Sequence, residues 1–145
     1  MVEILIFHVL YKPTIQTNKA IIMLHGGPSD SWKATWSPII HSLTSNNYNV
    51  FLANPRGSII RDYPLPMIAK GDLGVKDSYD IGKCIGWLID SGYAKDGGIG
   101  LYGHSYGGFL ANQVLKTYES KIECIAITSS YYQFSLFVVI NMAEH

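Results

Sequence analysis

Gly103-His104-Ser105-Tyr106-Gly107 sets a serine between two glycines, with an apolar run before it and an amphipathic pattern after it. That G-x-S-x-G order, between a strand and a helix, constrains this chain more than any other feature. A serine at the tip of a tight strand-to-helix turn exposes its oxygen but needs a strained backbone. The positions two before and two after it come close together, and glycine at Gly103 and Gly107 removes the clash. Gly108 adds room for helix to pack on strand. Ser105 is therefore the candidate nucleophile. The free N–H groups of the following helix sit where a negative oxygen would form. The Tyr106 backbone N–H is one expected donor, and a second must come from another loop.

Apolar runs and helical patterns alternate along the chain, which suggests βαβ units and a mainly parallel sheet. Residues 2–11 read as a strand or hairpin, and Ala20 to Leu24 as a strand buried on both faces. A short helix is expected over 36–43, a strand over 48–53, and a loop through Pro64 and Pro66 to Gly74. The spacing of Ile81, Cys84, Ile85, Leu88 and Ile89 predicts a helix over 75–90, ended by Gly92. A strand over 98–102, a helix over 106–118 with Leu110, Ala111 and Val114 on one stripe, and a strand over 122–128 follow. The tail after Phe134 fits no helix or strand well, as a change of reading frame would leave it. After the first buried strand comes His25-Gly26-Gly27-Pro28. Two glycines let the backbone turn an N–H toward a substrate, and Gly27 is the candidate second donor, with His25 shaping the loop. Taken alone, the run also suits a simple tight turn.

Four segments, LHGGP at 24–28, NPRGS at 54–58, GDLGVKDSYD at 71–80 and GHSYGGFLA at 103–111, occur in an order that resembles the catalytic domain of the prolyl oligopeptidase family. The acylaminoacyl-peptidase and dipeptidyl-peptidase-like branches are the nearest in pattern. The resemblance implies an α/β-hydrolase fold, a mostly parallel sheet flanked by helices. It implies hydrolysis of short peptides by acyl transfer, with Ser105 as nucleophile and Tyr106 and Gly27 as backbone oxyanion donors. For Arg56, Asp72 and Asp77 a structural role, in ion pairs or helix caps, is favoured over a direct one. Family members carry a tyrosine-glycine segment soon after RGS, where this chain has Ile59-Ile60-Arg61-Asp62-Tyr63-Pro64. They also carry an N-terminal β-propeller, which this chain is expected to lack.

A serine hydroxyl needs a base to take its proton. In this fold the acid and the histidine follow the serine in sequence, and the residues after Ser105 supply a single further strand. The expectation is a partial catalytic domain, 1–145, whose C-terminal strands and triad partners are missing. His104 is expected to point away toward the sheet, His8 and His41 to be packed or surface residues, and His145 to be a poor substitute. Glu123, Glu144 and Asp90 have no better claim as the acid. Open sheet edges favour self-association.

Lys+Arg and Asp+Glu number 11 each, which leaves no basic excess for nucleic acid or an anionic membrane. The longest C-terminal apolar run, FSLFVVI, is too short to cross a bilayer. Cys84 and Cys124 read as buried thiols in a reducing, cytoplasmic setting. Gly98, Gly100 and Gly103 spell G-x-G-x-x-G, yet they fill a strand instead of opening a helix, so no dinucleotide cofactor is implied. No zinc-spaced set of ligands occurs, so no metal is implied either. An esterase or lipase on the same scaffold, or a catalytically inactive fragment, remains the rival to a peptidase.

Overall fold

The computed structural model describes residues 8–60, 63–64, 71–129 and 137–140. A sheet of six strands runs in the order β1-β3-β2-β6-β7-β8. These are β1 (Val9–Tyr11), β2 (Ala20–Leu24), β3 (Asn49–Ala53), β6 (Ile99–His104), β7 (Ile122–Thr128) and β8 (Phe137–Ile140). The four central strands are parallel, and the two outer strands pair antiparallel to their neighbours. Helices α1 (Pro38–Ser45), α2 (Lys76–Asp90) and α3 (Tyr106–Tyr118) connect them.

Burial follows the alternation of side chains along each strand. Ile22, Leu24, Phe51, Leu101 and Ile125 face α2 and α3, where they meet Ile81, Ile85, Leu88, Leu110 and Val114. Met23, Val50 and Leu52 face the other way and pack with Ile40 of α1. A strand apolar at every position is therefore what two covered faces require. Turn chemistry fixes the helix ends. Pro38 opens α1 in its first turn, Asn47 leaves it at φ 64, and Gly92 leaves α2 at φ 75.

Long periodic elements fall where the sequence places them, and short ones do not. The expected loop after NPRGS holds a two-stranded ribbon, β4 (Ile59–Ile60) against β5 (Tyr63–Pro64). Pro64 is tolerated there because each strand of a lone pair has a free edge. The tail also needs correction. Phe137–Ile140 forms β8 on the outer side of β7, with Ile127 opposite Phe137 and Cys124 opposite Ile140. Four apolar residues are too few to show a period, but their backbone satisfies the edge of β7. The expected strand or hairpin over 2–11 is described only from residue 8, and residues 2–7 lie outside the described residues, as do Glu144 and His145.

The strand order turns about β2, with β3 on one side and β6 on the other. Sites in such sheets lie where chain segments leave the carboxyl ends of strands at that switch. Leu24 pairs with Gly103, and His104 pairs with Thr128. The segments after β2, β6 and β7 therefore emerge side by side. Leu88 is fully buried between α2 and the sheet. Leu88→Ala should cost about 2–5 kcal/mol of stability, read as a lower urea midpoint with an unchanged slope.

Candidate active site

Ser105 sits between β6 and α3 at φ 54, ψ −118, a backbone conformation that side chains rarely adopt. The neighbours enforce it. The Ser105 N–H donates to the Thr128 carbonyl of β7 at 3.0 Å, and the Ser105 carbonyl accepts from Gly108 N–H at 3.0 Å. Strain at a non-glycine residue persists only where surroundings over-determine it, and such positions cluster at functional sites. Ser105 is half-buried, at the edge of the sheet.

The glycines of the elbow answer to two contacts. A Cβ on Gly103 would lie 2.3 Å from the Gly107 carbonyl oxygen, the expected clash within the turn. A Cβ on Gly107 would instead meet the Leu24 carbonyl oxygen at 2.2 Å and that of His25 at 2.7 Å. Gly103 is thus required by the turn itself, and Gly107 by the end of β2. Gly108 is buried on the inner face of α3. The first N–H groups of α3, beginning with Tyr106, have no intrahelical acceptor by geometry.

The glycine loop reaches the serine. A Cβ on Gly26 would stand 3.3 Å from Ser105 Cβ and 3.4 Å from His104 Cδ2. Gly27 follows at φ 48 with nothing within 4 Å of an added Cβ, so its glycine is set by conformation. Pro28 continues the turn. His25 is buried, as loop shaping requires, with Nε2 2.8 Å from Ser58 Oγ.

The acidic segment does structural work. Asp80, whose side chain is 2% exposed, accepts two bonds from the Arg56 guanidinium at 2.6 and 2.7 Å and one from its backbone N–H. That bond raises the Arg56 pKa, against the opposing effect of burial. Asp77 is buried and accepts a short bond from the Tyr106 hydroxyl. Burial first, and then this carboxylate, push the Tyr106 phenol up. Asp72 pairs with Lys76 one turn along. Arg56, Asp72 and Asp77 hold loops and helix ends, as favoured from sequence. Asp80 was not singled out there, although a carboxylate beside Ile81 on the apolar stripe of α2 is a signal for a buried partner.

Among the described residues the histidines do not complete a triad. His104 leans onto β7, as expected from its place beside Ser105, with Nδ1 3.1 Å from Thr128 Oγ1, and its side chain is exposed. His8 accepts from Asn54 N–H and lies against Phe51, while His41 is exposed on α1. Among the described residues, no histidine is hydrogen-bonded to Ser105. Both cysteines are free. Cys84 is buried, which pushes its thiol up to about 12, whereas Cys124 is half-buried. Among the described residues there is no metal-binding cluster and no helix long and apolar enough to cross a membrane.

Gly107→Ala should destabilise the fold by about 1–3 kcal/mol or more, because the Leu24 backbone cannot move aside. Gly86 of α2 is the control, since a Cβ there meets nothing within 4 Å. Gly86→Ala should stabilise by about 0.4–1 kcal/mol. Thermal melts of the two variants check both signs.

The sequence profile of the prolyl oligopeptidase family matches residues 34–141. Acylamino-acid-releasing enzyme 1 of Oryza sativa subsp. japonica is 28% identical over 99 residues, which is 68% of this chain and 13% of that protein. Dipeptidyl peptidase family member 6 of Caenorhabditis elegans is 32% identical over 91 residues, 63% of this chain and 12% of its own length. Among solved structures, Pyrococcus horikoshii acylaminoacyl peptidase superposes with a TM-score of 0.68 at 26% identity, over 78% of this chain and 19% of that one. The chain thus spans less than a fifth of the length of these proteins. The sheet, the strained serine and the adjoining glycine loop form an α/β-hydrolase fold, and by its sequence the chain belongs to the prolyl oligopeptidase family.

Proposed function

We propose that this chain carries the nucleophile and oxyanion hole of a serine peptidase that cleaves short peptides by acyl transfer. One observation carries the reading: Ser105 is held at φ 54 directly against Gly26, so a reacting carbonyl at the serine also lies beside the glycine loop. In the attack, Ser105 Oγ bonds to the carbonyl carbon and its proton passes to a base. Negative charge moves to the carbonyl oxygen, where the N–H groups of Tyr106 and Gly27 receive it. Such donors act strongly because they are already oriented when the charge appears. The C–N bond then breaks, the amine takes the proton, and water later releases the acyl group from Ser105. In this fold that base is a histidine held by a carboxylate, and both follow the serine in sequence. The names of the relatives, an acylamino-acid-releasing enzyme and a dipeptidyl peptidase family member, favour a peptide substrate over an ester.

The absence of a histidine bonded to Ser105 among the described residues favours a second reading, a chain that folds the site without catalysing. A fluorophosphonate probe separates the two. Labelling that is lost in Ser105→Ala supports the hydrolase, and no labelling of a folded chain supports the inactive reading. Faster turnover of aminoacyl p-nitroanilides than of p-nitrophenyl esters, compared for the same preparation, selects the peptidase over an esterase.

The protein is further proposed to be cytoplasmic, in keeping with two free thiols, and to use neither nucleic acid nor membrane as partner. The outer edge of β8 favours pairing between copies. Sedimentation velocity should show a concentration-dependent shift from monomer to dimer, and a concentration-independent monomer would remove that expectation.

A further inference from the structure

Ser58 lies fully buried in the turn after β3, far in sequence from both the serine and the glycine loop. Its oxygen lies 2.7 Å from the Pro55 carbonyl and 2.8 Å from His25 Nε2, and in the tautomer whose Nδ1–H donates to the Gly26 carbonyl the Ser58 hydroxyl proton is shared between these two acceptors. The other ring nitrogen, Nδ1, lies 3.0 Å from the Gly26 carbonyl. We infer that Ser58 is a positioning residue for the Gly26–Gly27 loop, acting through the His25 ring, and the inference rests on that loop being the oxyanion hole proposed above.

Two glycines in succession carry no side chains to lock them, and each has a large conformational space to lose. Something outside the loop must hold it. The outer part of the loop is pinned by several bonds. Asn54 Oδ1 accepts from Trp32 N–H at 2.7 Å, Asn54 Nδ2 donates to the Trp32 carbonyl at 3.1 Å, and Ile59 N–H donates to the Asp30 carbonyl at 3.1 Å. All of these lie at residues 30–32, beyond the glycines. Among the described residues, the Ser58–His25 bond is the side-chain contact that ties the inner part, facing Ser105, to the neighbouring turn. That turn is itself rigid. Ser58 N–H donates to the Pro55 carbonyl at 3.1 Å, and Arg56 is clamped by Asp80 of α2. Asp80 of α2 thus grips the turn at Arg56, and two residues on the same turn meets His25, beside the glycine loop, through Ser58.

The test needs a readout that simple loss of stability would not move. Amide relaxation by NMR gives one. In Ser58→Ala the Gly26 and Gly27 order parameters should fall from about 0.85 to below about 0.6, while Gly86 keeps its value. Ser58→Thr keeps the oxygen and should restore the order. His25→Ala should give the same loss, and the double variant should add nothing, as two ends of one contact require. In parallel, fluorophosphonate labelling of Ser105 should slow by roughly 10–100-fold in Ser58→Ala and recover in Ser58→Thr. Should Ser58→Ala fail to fold, His25→Ala carries the same measurement. Glycine amides as ordered in both single variants as in the parent chain, or no recovery with threonine, would overturn the inference. Absence of labelling in the parent chain would count against the hydrolase reading alone, because the relaxation measurement needs no chemistry.

Discussion

Parallel pairing of β2 with β6 is the contact on which the rest of this site depends. The register sets Leu24 beside Gly103. Whatever follows each strand must then leave the sheet at the same place, so the glycine loop and the elbow become neighbours although α1, β3, the β4–β5 ribbon, α2 and β6 separate them in sequence. The pairing is tight enough that the first turn of α3 crosses over the end of β2. Only a residue without Cβ fits where Gly107 passes the Leu24 carbonyl. Steric exclusion at one backbone atom thus couples a strand end, a helix start and the serine between them.

Around that contact the protein uses charge where a purely apolar core would give no direction. Asp77 and Asp80 are buried on α2, and each has a donor from another element, Tyr106 of α3 and Arg56 of the turn after β3. A carboxylate removed from water is costly unless paired, and breaking such a pair costs about 3–5 kcal/mol. The pairs therefore add less to net stability than they add to specificity of position. One sets the first turn of α3 against α2. The other holds the turn on which Ser58 is carried. Apolar side chains of similar volume would fill the space without choosing an orientation.

How much of this could be read beforehand depended on length and on locality. β2, α3 and β7 begin and end where their patterns place them, because each is long enough for periodicity and is bounded by turn residues. The ribbon at Ile59–Pro64 and the strand at Phe137–Ile140 escaped, because two or four residues carry no period and their pairing partners alone decide their state. At the site, Ser105 and the glycines were legible, since the elbow writes its sterics into adjacent positions. The contacts of Ser58 and Asp80 were not. Each acts through a partner more than twenty residues away: a small hydroxyl looks the same in sequence whether it faces solvent or a buried ring, and a carboxylate on an apolar stripe signals burial without naming its partner. His104 turns toward the neighbouring strand, as its place beside Ser105 implies, and stands exposed there because the last residue of a strand can lean sideways while still in water.

The bond from Ser105 N–H to the Thr128 carbonyl has a consequence for how the nucleophile comes into being. β7 is contributed by chain that lies after the elbow, so the strained turn has no acceptor for its amide until that later segment has docked. The conformation at Ser105 is therefore a property of the assembled sheet and not of the local pentapeptide. A segment made after the serine holds the serine's own amide in place, so the turn acquires its sheet acceptor only when β7 has docked.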